Sequence, residues 1–259
     1  MSSLPIRFAL ATTPQAGADA VSELRNILAR APDCDMEPVF VPNYAALYDS
    51  IHLHNADAAW CPPLVARDLQ RDGAADARLA VVRNGAASYF SAIVGSPSLH
   101  APADIKRFGW VSRMSAAGYL VPRSYLSSIG VDMTGREERF FHTHERSMSA
   151  LEANVVDAIA TYAVRDPERG EVYVPHAFAG ARILATIGPI PGDVIMVARS
   201  FSSARAQAMV SALRGAELPA GSAITALMGA TSFGDVPHNH LESLGRWIAH
   251  PLFSIASSG

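Results

Sequence analysis

Residues 108–126 read FGWVSRMSAAGYLVPRSYL. A strand-like apolar run (Phe108, Trp110, Val111) gives way to Ser115-Ala116-Ala117-Gly118 and then to an apolar run at helical spacing. A strand that enters a helix through small residues leaves the first backbone N–H groups of that helix unpaired. Those groups and the helix dipole favour an anion, each such contribution being about 0.3–1 kcal/mol. Three free N–H groups are expected here. Ser115 adds a hydroxyl, whereas Ala116 and Ala117 add none. The stretch predicts the backbone half of an anion cradle inside a β-turn-α unit.

The same alternation extends in both directions. IRFALAT is a predicted strand, GADAVSELRNILARAP a helix ended by Pro32, and MEPVFVP a strand. NYAALYDSIHLHN follows as a helix with Asn43 as N-cap, then the short strand ADAAW, the helix PLVARDLQRDG and the strand RLAVVRN. This β-α-β-α-β-α-β order predicts a mostly parallel sheet covered by helices. A second α/β unit covers about residues 92–190, with strands SYFSAIVG and ERFFHTH, the helix ERSMSALEANVV, the strand DAIATYA, and two strand-like runs in ARILATIGPIPGDVIMVARS. Helices are expected in SSARAQAMVSALRGA, GSAITALMGA and NHLESLGRWIAH, and GATSFG reads as a loop. No repeat is visible. Two extended segments, near Ser88–Gly95 and Pro191–Val197, predict a double crossover between two lobes: 1–90 with 196–259, and 91–195. A ligand is expected in the cleft between them, at strand carboxyl ends and helix amino ends.

The 259 residues are 49% hydrophobic and 17% charged, which supports a sizeable core and argues against disorder. Formal charge is −3 and no basic block occurs, so a nucleic-acid partner has little support. Cys34 and Cys61 are too few for a disulfide framework and read as buried thiols. No apolar run is long enough to span a membrane. The amino terminus, MSSLPIRFALATTPQAG, lacks the pattern of a secretory leader. A cytoplasmic address is expected if this is the whole natural chain, and a periplasmic one if a leader was removed.

Five motifs in order resemble the phosphonate/phosphate/phosphite-binding subunits of ABC transporters, which have the type 2 periplasmic-binding-protein fold. They are NYAALYDSIHLHNADAAWCPPL, SYFSAIV, SRMSAAGYLVPRSYLSSIGVD, FFHTHERSMSALEANVVDAIATY and IGPIPGDVIMVARS. The resemblance implies a two-lobe α/β protein with a double hinge, closing on a small anionic or zwitterionic ligand, with no cofactor and with an ABC permease as partner if exported. It also implies that Tyr44, Tyr89, Ser115, Ala116, Ala117, His144 and Glu145 are ligand-contact candidates, joined by Trp60 and Asp157. This chain departs from the family where Ser-Thr-Ser becomes Ser115-Ala116-Ala117, where the leading Asp-Pro becomes Ser112-Arg113, and where a serine becomes Thr186 or Ile187. A hydroxyl hydrogen bond to a charged group contributes up to about 3 kcal/mol, so two losses predict a ligand other than a simple phosphonate, such as a carboxylate or a less charged molecule. Arg113 either replaces that charge or points to solvent.

Each candidate has a structural alternative. Tyr44 and Tyr89 are ligand phenols or half-buried tyrosines; Trp60 is a cleft wall or core. Glu145 either contacts ligand or caps a helix. Of the pairs His52/His54, His142/His144 and His238/His240, only His142/His144 falls on a predicted strand, where i and i+2 share a face; with no third ligand, no metal site is expected. The alternative function is an enzyme, lyase- or dehydratase-like, with proton transfer by His144 and Glu145; the fold that the resemblance implies is also used by chorismate dehydratase and by pyrimidine-precursor enzymes of thiamin synthesis. A cleft that binds nothing is the third reading.

Overall fold

The computed structural model describes residues 4–166, 168–175 and 177–248. These residues form two compact units: 4–87 with 191–242, and 88–190 with 243–248. The chain passes between units at three places, two of them in the predicted extended segments.

The first unit is built on strands β1 (Ile6–Leu10), β2 (Met36–Phe40), β3 (Ala58–Cys61) and β4 (Ala75–Val82), alternating with helices α1 (Pro14–Leu28), α2 (Tyr44–His52) and α3 (Pro63–Arg71). The second unit carries β5 (Ser88–Gly95), β6 (Arg107–Trp110), α4 (Val121–Ser128), β7 (Glu137–Phe140), α5 (His144–Glu152), β8 (Ala158–Arg165), β9 (Val172–Tyr173) and β10 (Arg182–Pro191). The chain then returns through β11 (Val194–Ala198), α6 (Ser203–Arg214), α7 (Ala223–Met228) and β12 (Ser232–Gly234).

The first sheet has the order β12-β4-β11-β3-β1-β2. Strands β1, β2 and β3 run parallel, while β11 and β12 are antiparallel to their neighbours. Its apolar residues, including Phe8, Leu24, Leu79, Ile195 and Met209, form one buried cluster under α1, α6 and α7. The second sheet has the order β10-β5-β8-β6-β7, with β9 beside β8. Its own cluster joins Ala92, Val94 and Ile159 to Met148 and Leu151 of α5. A sheet with helices on its faces buries strands on both sides, which is why they read as near-continuous apolar runs.

The two units repeat one plan. The order β3-β1-β2 recurs as β8-β6-β7, all parallel. Arg7 at the start of β1 forms two side-chain hydrogen bonds to Asp57 before β3, whose carboxylate also accepts the Arg7 amide N–H at 2.9 Å. Arg107 at the start of β6 does the same with Asp157 before β8, again 50 residues apart and with the amide bond at 2.9 Å. Tyr44 and His144 open the matching helices α2 and α5, capped by the side chains of Asn43 and Thr143. The repeat was invisible in the sequence because it is conserved as pairing and capping geometry, carried mostly by different residues.

Three local expectations are corrected. The strand ERFFHTH ends at Phe140: His142 has φ 70°, and His144 is already the first residue of α5. These two histidines therefore do not share a strand face. GATSFG is not a loop throughout, since Ser232–Gly234 pairs with β4. In NHLESLGRWIAH the described part is a 3-10 turn at Glu242–Arg246, and the end of that stretch lies outside the described residues.

Candidate functional site

In a parallel α/β sheet the strand carboxyl ends and helix amino ends leave polar backbone facing open space, and ligands bind there. In the first unit that edge holds a cavity of about 280 Å3. It is lined by Leu10, Ala11 and Thr12 after β1, Tyr44 at the start of α2, Trp60 and Pro62 at the end of β3, Arg83 after β4, Asp193 before β11, and Leu227 and Met228 of α7.

Asn43 fixes the start of α2 by accepting the Ala46 N–H at 2.9 Å, and this places Tyr44 in the cavity wall. Tyr44 is 39% exposed. Desolvation of its phenol, and then the Asp193 carboxylate, push it up to about 12, so it stays a neutral hydroxyl. The indole Nε1–H of Trp60 is buried and has no acceptor among the described residues. A donor left in that state costs about 1–3 kcal/mol. Arg83 Nη2 donates to Asp193 Oδ2 at 2.5 Å, and its Nε donates to the Met228 carbonyl at 2.9 Å. His240 Nε2 lies 3.2 Å from the Gly192 carbonyl oxygen, which only accepts, so this nitrogen carries the proton. Gly192 N–H donates to the Ala87 carbonyl at 2.8 Å, and a Cβ there would sit 2.8 Å from the same oxygen. Gly192 is thus held on both sides, and Asp193 is placed by it. Burial pushes the Cys61 thiol up, and the same cause raises Cys34; both are buried free thiols.

In the second unit the SRMSAAGYLVP stretch turns from β6 into a helix as expected, but its first turn is wide. Residues Ala116–Leu120 are π-helical, with Leu120 N–H bonded to the Ser115 carbonyl at 3.0 Å. The Ser115 hydroxyl caps this turn by accepting the Gly118 N–H at 3.0 Å. One of the three N–H groups expected to be free is therefore taken, and so is an acceptor site of the hydroxyl. Ala116 and Ala117 are buried, and the Ala117 carbonyl accepts the Ser91 hydroxyl at 2.7 Å. Only glycine fits at 118, because a Cβ would lie 2.5 Å from Val111 Cγ2. Arg113 is exposed, and its guanidinium donates to Tyr119 Oη at 3.3 Å and lies 5.0 Å from the Phe140 ring centroid.

Tyr89 is half-buried on β5, two residues before Ser91 and so on the face that meets the Ala116–Leu120 turn. His144 Nδ1 is 2.9 Å from the Thr161 hydroxyl, and its ring meets Tyr162 edge-on at 5.0 Å. Burial lowers the His144 pKa, with Glu145 opposing. Glu145 is exposed in the first turn of α5, where a carboxylate complements the helix dipole. Asp157 lies elsewhere. It sits before β8, at the amino-terminal end of the sheet, clamped to Arg107 and to the Lys106 and Arg107 amides. Among the described residues, no group of three His, Cys, Asp or Glu is placed to hold a metal ion.

The structure therefore brings Tyr44 and Trp60 together in the first unit, and puts Ser115, Ala116 and Ala117 in one turn in the second, with Ser91 of β5 bonded to it. Thr12, Arg83 and Asp193 were missed as site residues. Asp193 stands inside a motif that pointed to it, Pro191-Gly192-Asp193, but Arg83 has no local signal, and its partner is 110 residues away.

Residues 6–241 match the sequence model of the family described as "ABC transporter, phosphonate, periplasmic substrate-binding protein". The chain belongs to this family. It shares the fold of solved relatives at low identity. XAC2383 from Xanthomonas citri bound to ATP aligns with a TM-score of 0.75 at 18% identity, over 94% of this chain and 96% of that one. A binding protein component of an ABC phosphonate transporter from Pseudomonas aeruginosa gives 0.71 at 17%, over 93% and 84%. PhnD1 from Prochlorococcus marinus in complex with methylphosphonate gives 0.67 at 15%, over 95% and 97%. No curated protein matches the chain in sequence. As a phosphonate-type substrate-binding protein of the periplasmic-binding-protein fold, the chain takes a small-molecule ligand and has an ABC permease as the implied partner. The family is periplasmic, and among the described residues no helix is long and apolar enough to cross a membrane.

Proposed function

We propose that this substrate-binding protein captures a small anionic or zwitterionic molecule, with the anionic end entering the first unit's cavity. The carrying observation is the pairing there of a phenol held protonated, Tyr44, with a buried indole donor that lacks an acceptor, Trp60. An oxyanion that enters beside Tyr44 is the acceptor proposed for the phenol, and a small shift of the Trp60 indole, whose Nε1 is buried, would bring its N–H to the same acceptor. Two structural neighbours support the class, one bound to ATP and one to methylphosphonate, each ligand carrying a phosphorus oxyanion. In the second unit Tyr89, Ser115, Ala116, Ala117, His144 and Glu145 remain the proposed contacts. Delivery to an ABC permease from the periplasm is part of the same proposal. The comparisons give the lyase alternative no support, and His144 Nδ1 engages a threonine hydroxyl.

A thermal-shift panel of methylphosphonate, phosphate, methanesulfonate, acetate and ATP tests the reading. A ligand present at about 100 times its Kd adds about 2.7 kcal/mol of stability. A shift with at least one oxyanion, reduced in Tyr44→Phe, is expected. Silence across the panel, or a shift untouched by Tyr44→Phe and Trp60→Phe, contradicts it.

A further inference from the structure

The cavity of the first unit has an unusual charge balance for an anion site. Its titratable lining residues are Tyr44, Arg83 and Asp193. Among the described residues Arg83 is its single lining cation, and that charge is already matched by Asp193 at 2.5 Å, with a further N–H committed to the Met228 carbonyl at 2.9 Å. Asp193 is held in place through Gly192, which is fixed by Ala87 and His240. The remaining donors are neutral: the Tyr44 phenol, the Thr12 hydroxyl and the orphan Trp60 N–H.

From this geometry we infer that the cavity selects a singly charged tetrahedral oxyanion, a sulfonate or the monoprotonated form of a phosphonate or phosphate, over the corresponding dianion. The inference rests on the reading that the ligand's anionic end enters this cavity. Neutral donors stabilise one desolvated negative charge. A second charge would meet no unmatched cation among the described lining residues and would face the Asp193 carboxylate, so its desolvation would go uncompensated. Asp193 is thus a specificity residue that acts by neutralising Arg83.

Isothermal titration with methanesulfonate, methylphosphonate and inorganic phosphate, at about pH 5.5 and about pH 8.5, spans the second ionisation of the phosphorus acids, while the sulfonate stays a monoanion. The native protein should bind methylphosphonate and phosphate about tenfold or more tightly at the lower pH. Methanesulfonate should change far less, which separates ligand protonation from protonation of His240, the group near Asp193 that also titrates toward acid. Asp193→Asn removes the neutralising charge and should tighten the dianions at high pH by about tenfold, with little gain for methanesulfonate. Tighter binding of the dianion by the native protein overturns the inference, as does an equal pH response of all three probes. Loss of binding of every probe in a folded Asp193→Asn overturns it too, by making Asp193 a direct contact. Binding of no probe by the native protein overturns both the inference and the functional reading beneath it.

Discussion

At the scale of single residues, the same carboxylate chemistry has two outcomes. Asp157 is bound to Arg107 at 2.6 Å and to two backbone amides, so its work is to hold the starts of β6 and β8 together. The pair is partly exposed, Arg107 at 41% and Asp157 at 21%, which limits its contribution. Asp157→Asn should cost about 1–2 kcal/mol in denaturant melts, with ligand titrations unchanged; a matching loss of affinity would return Asp157 to the site. His144 and His240 carry a pH signature. Burial lowers both pKa values from the ordinary 6.5. As pH falls through about 6.5 the unfolded chain takes up protons before the folded one, so stability is lost toward acid, until the folded values are passed. Asp72 and Asp157 are lowered instead by hydrogen bonds and ion pairs that outweigh desolvation, so their stabilisation is lost only below about pH 4. Thermal melts should therefore fall between about pH 7 and pH 5, and His240→Asn or His144→Asn should flatten that slope. A slope unchanged in both variants would contradict the assignment. Tyr44 and Trp60 were named through the family resemblance, and the structure puts both in the wall of one cavity. Arg83 was not legible, since an ion pair across 110 residues leaves no spacing to read.

At the scale of elements, the turn from β6 into α4 was read correctly as a helix entry at small residues. Its π-helical pitch was not, because that depends on contacts from other segments: Ser91 on the Ala117 carbonyl, and Val111 against Gly118. Two substitutions divide the roles. Ser115→Ala removes the cap on the Gly118 N–H and should lower stability by about 0.5–2 kcal/mol. Gly118→Ala forces a methyl group against Val111 and should cost about 1–3 kcal/mol. Chemical denaturation followed by circular dichroism measures both. If Ser115→Ala leaves stability intact but weakens oxyanion binding, the hydroxyl is a ligand group first and a cap second. The extent of β7 was misjudged for a related reason. Apolar alternation continues through Phe141, but the left-handed backbone at His142 ends the strand and aims the chain into α5.

At the scale of the whole molecule, fold class and family were legible, because five ordered motifs and the β-α alternation agree. The repeat of one plan in both units was hidden, for it resides in the Arg–Asp clamps and capped helix starts that few residues specify. Each unit has its own buried cluster, and each presents strand carboxyl ends and capped helix starts suited to a polar ligand. Family membership leaves the ligand's identity to the few side chains at those edges, and these differ from the family at Ala116 and Ala117. The most direct test of the account is a crystal structure of the protein grown with the oxyanion that stabilises it most in the thermal-shift panel. The oxygens of that oxyanion are predicted to lie within hydrogen-bonding distance of the Tyr44 hydroxyl in the first unit's cavity. An empty cavity with that oxyanion bound at another place would contradict it.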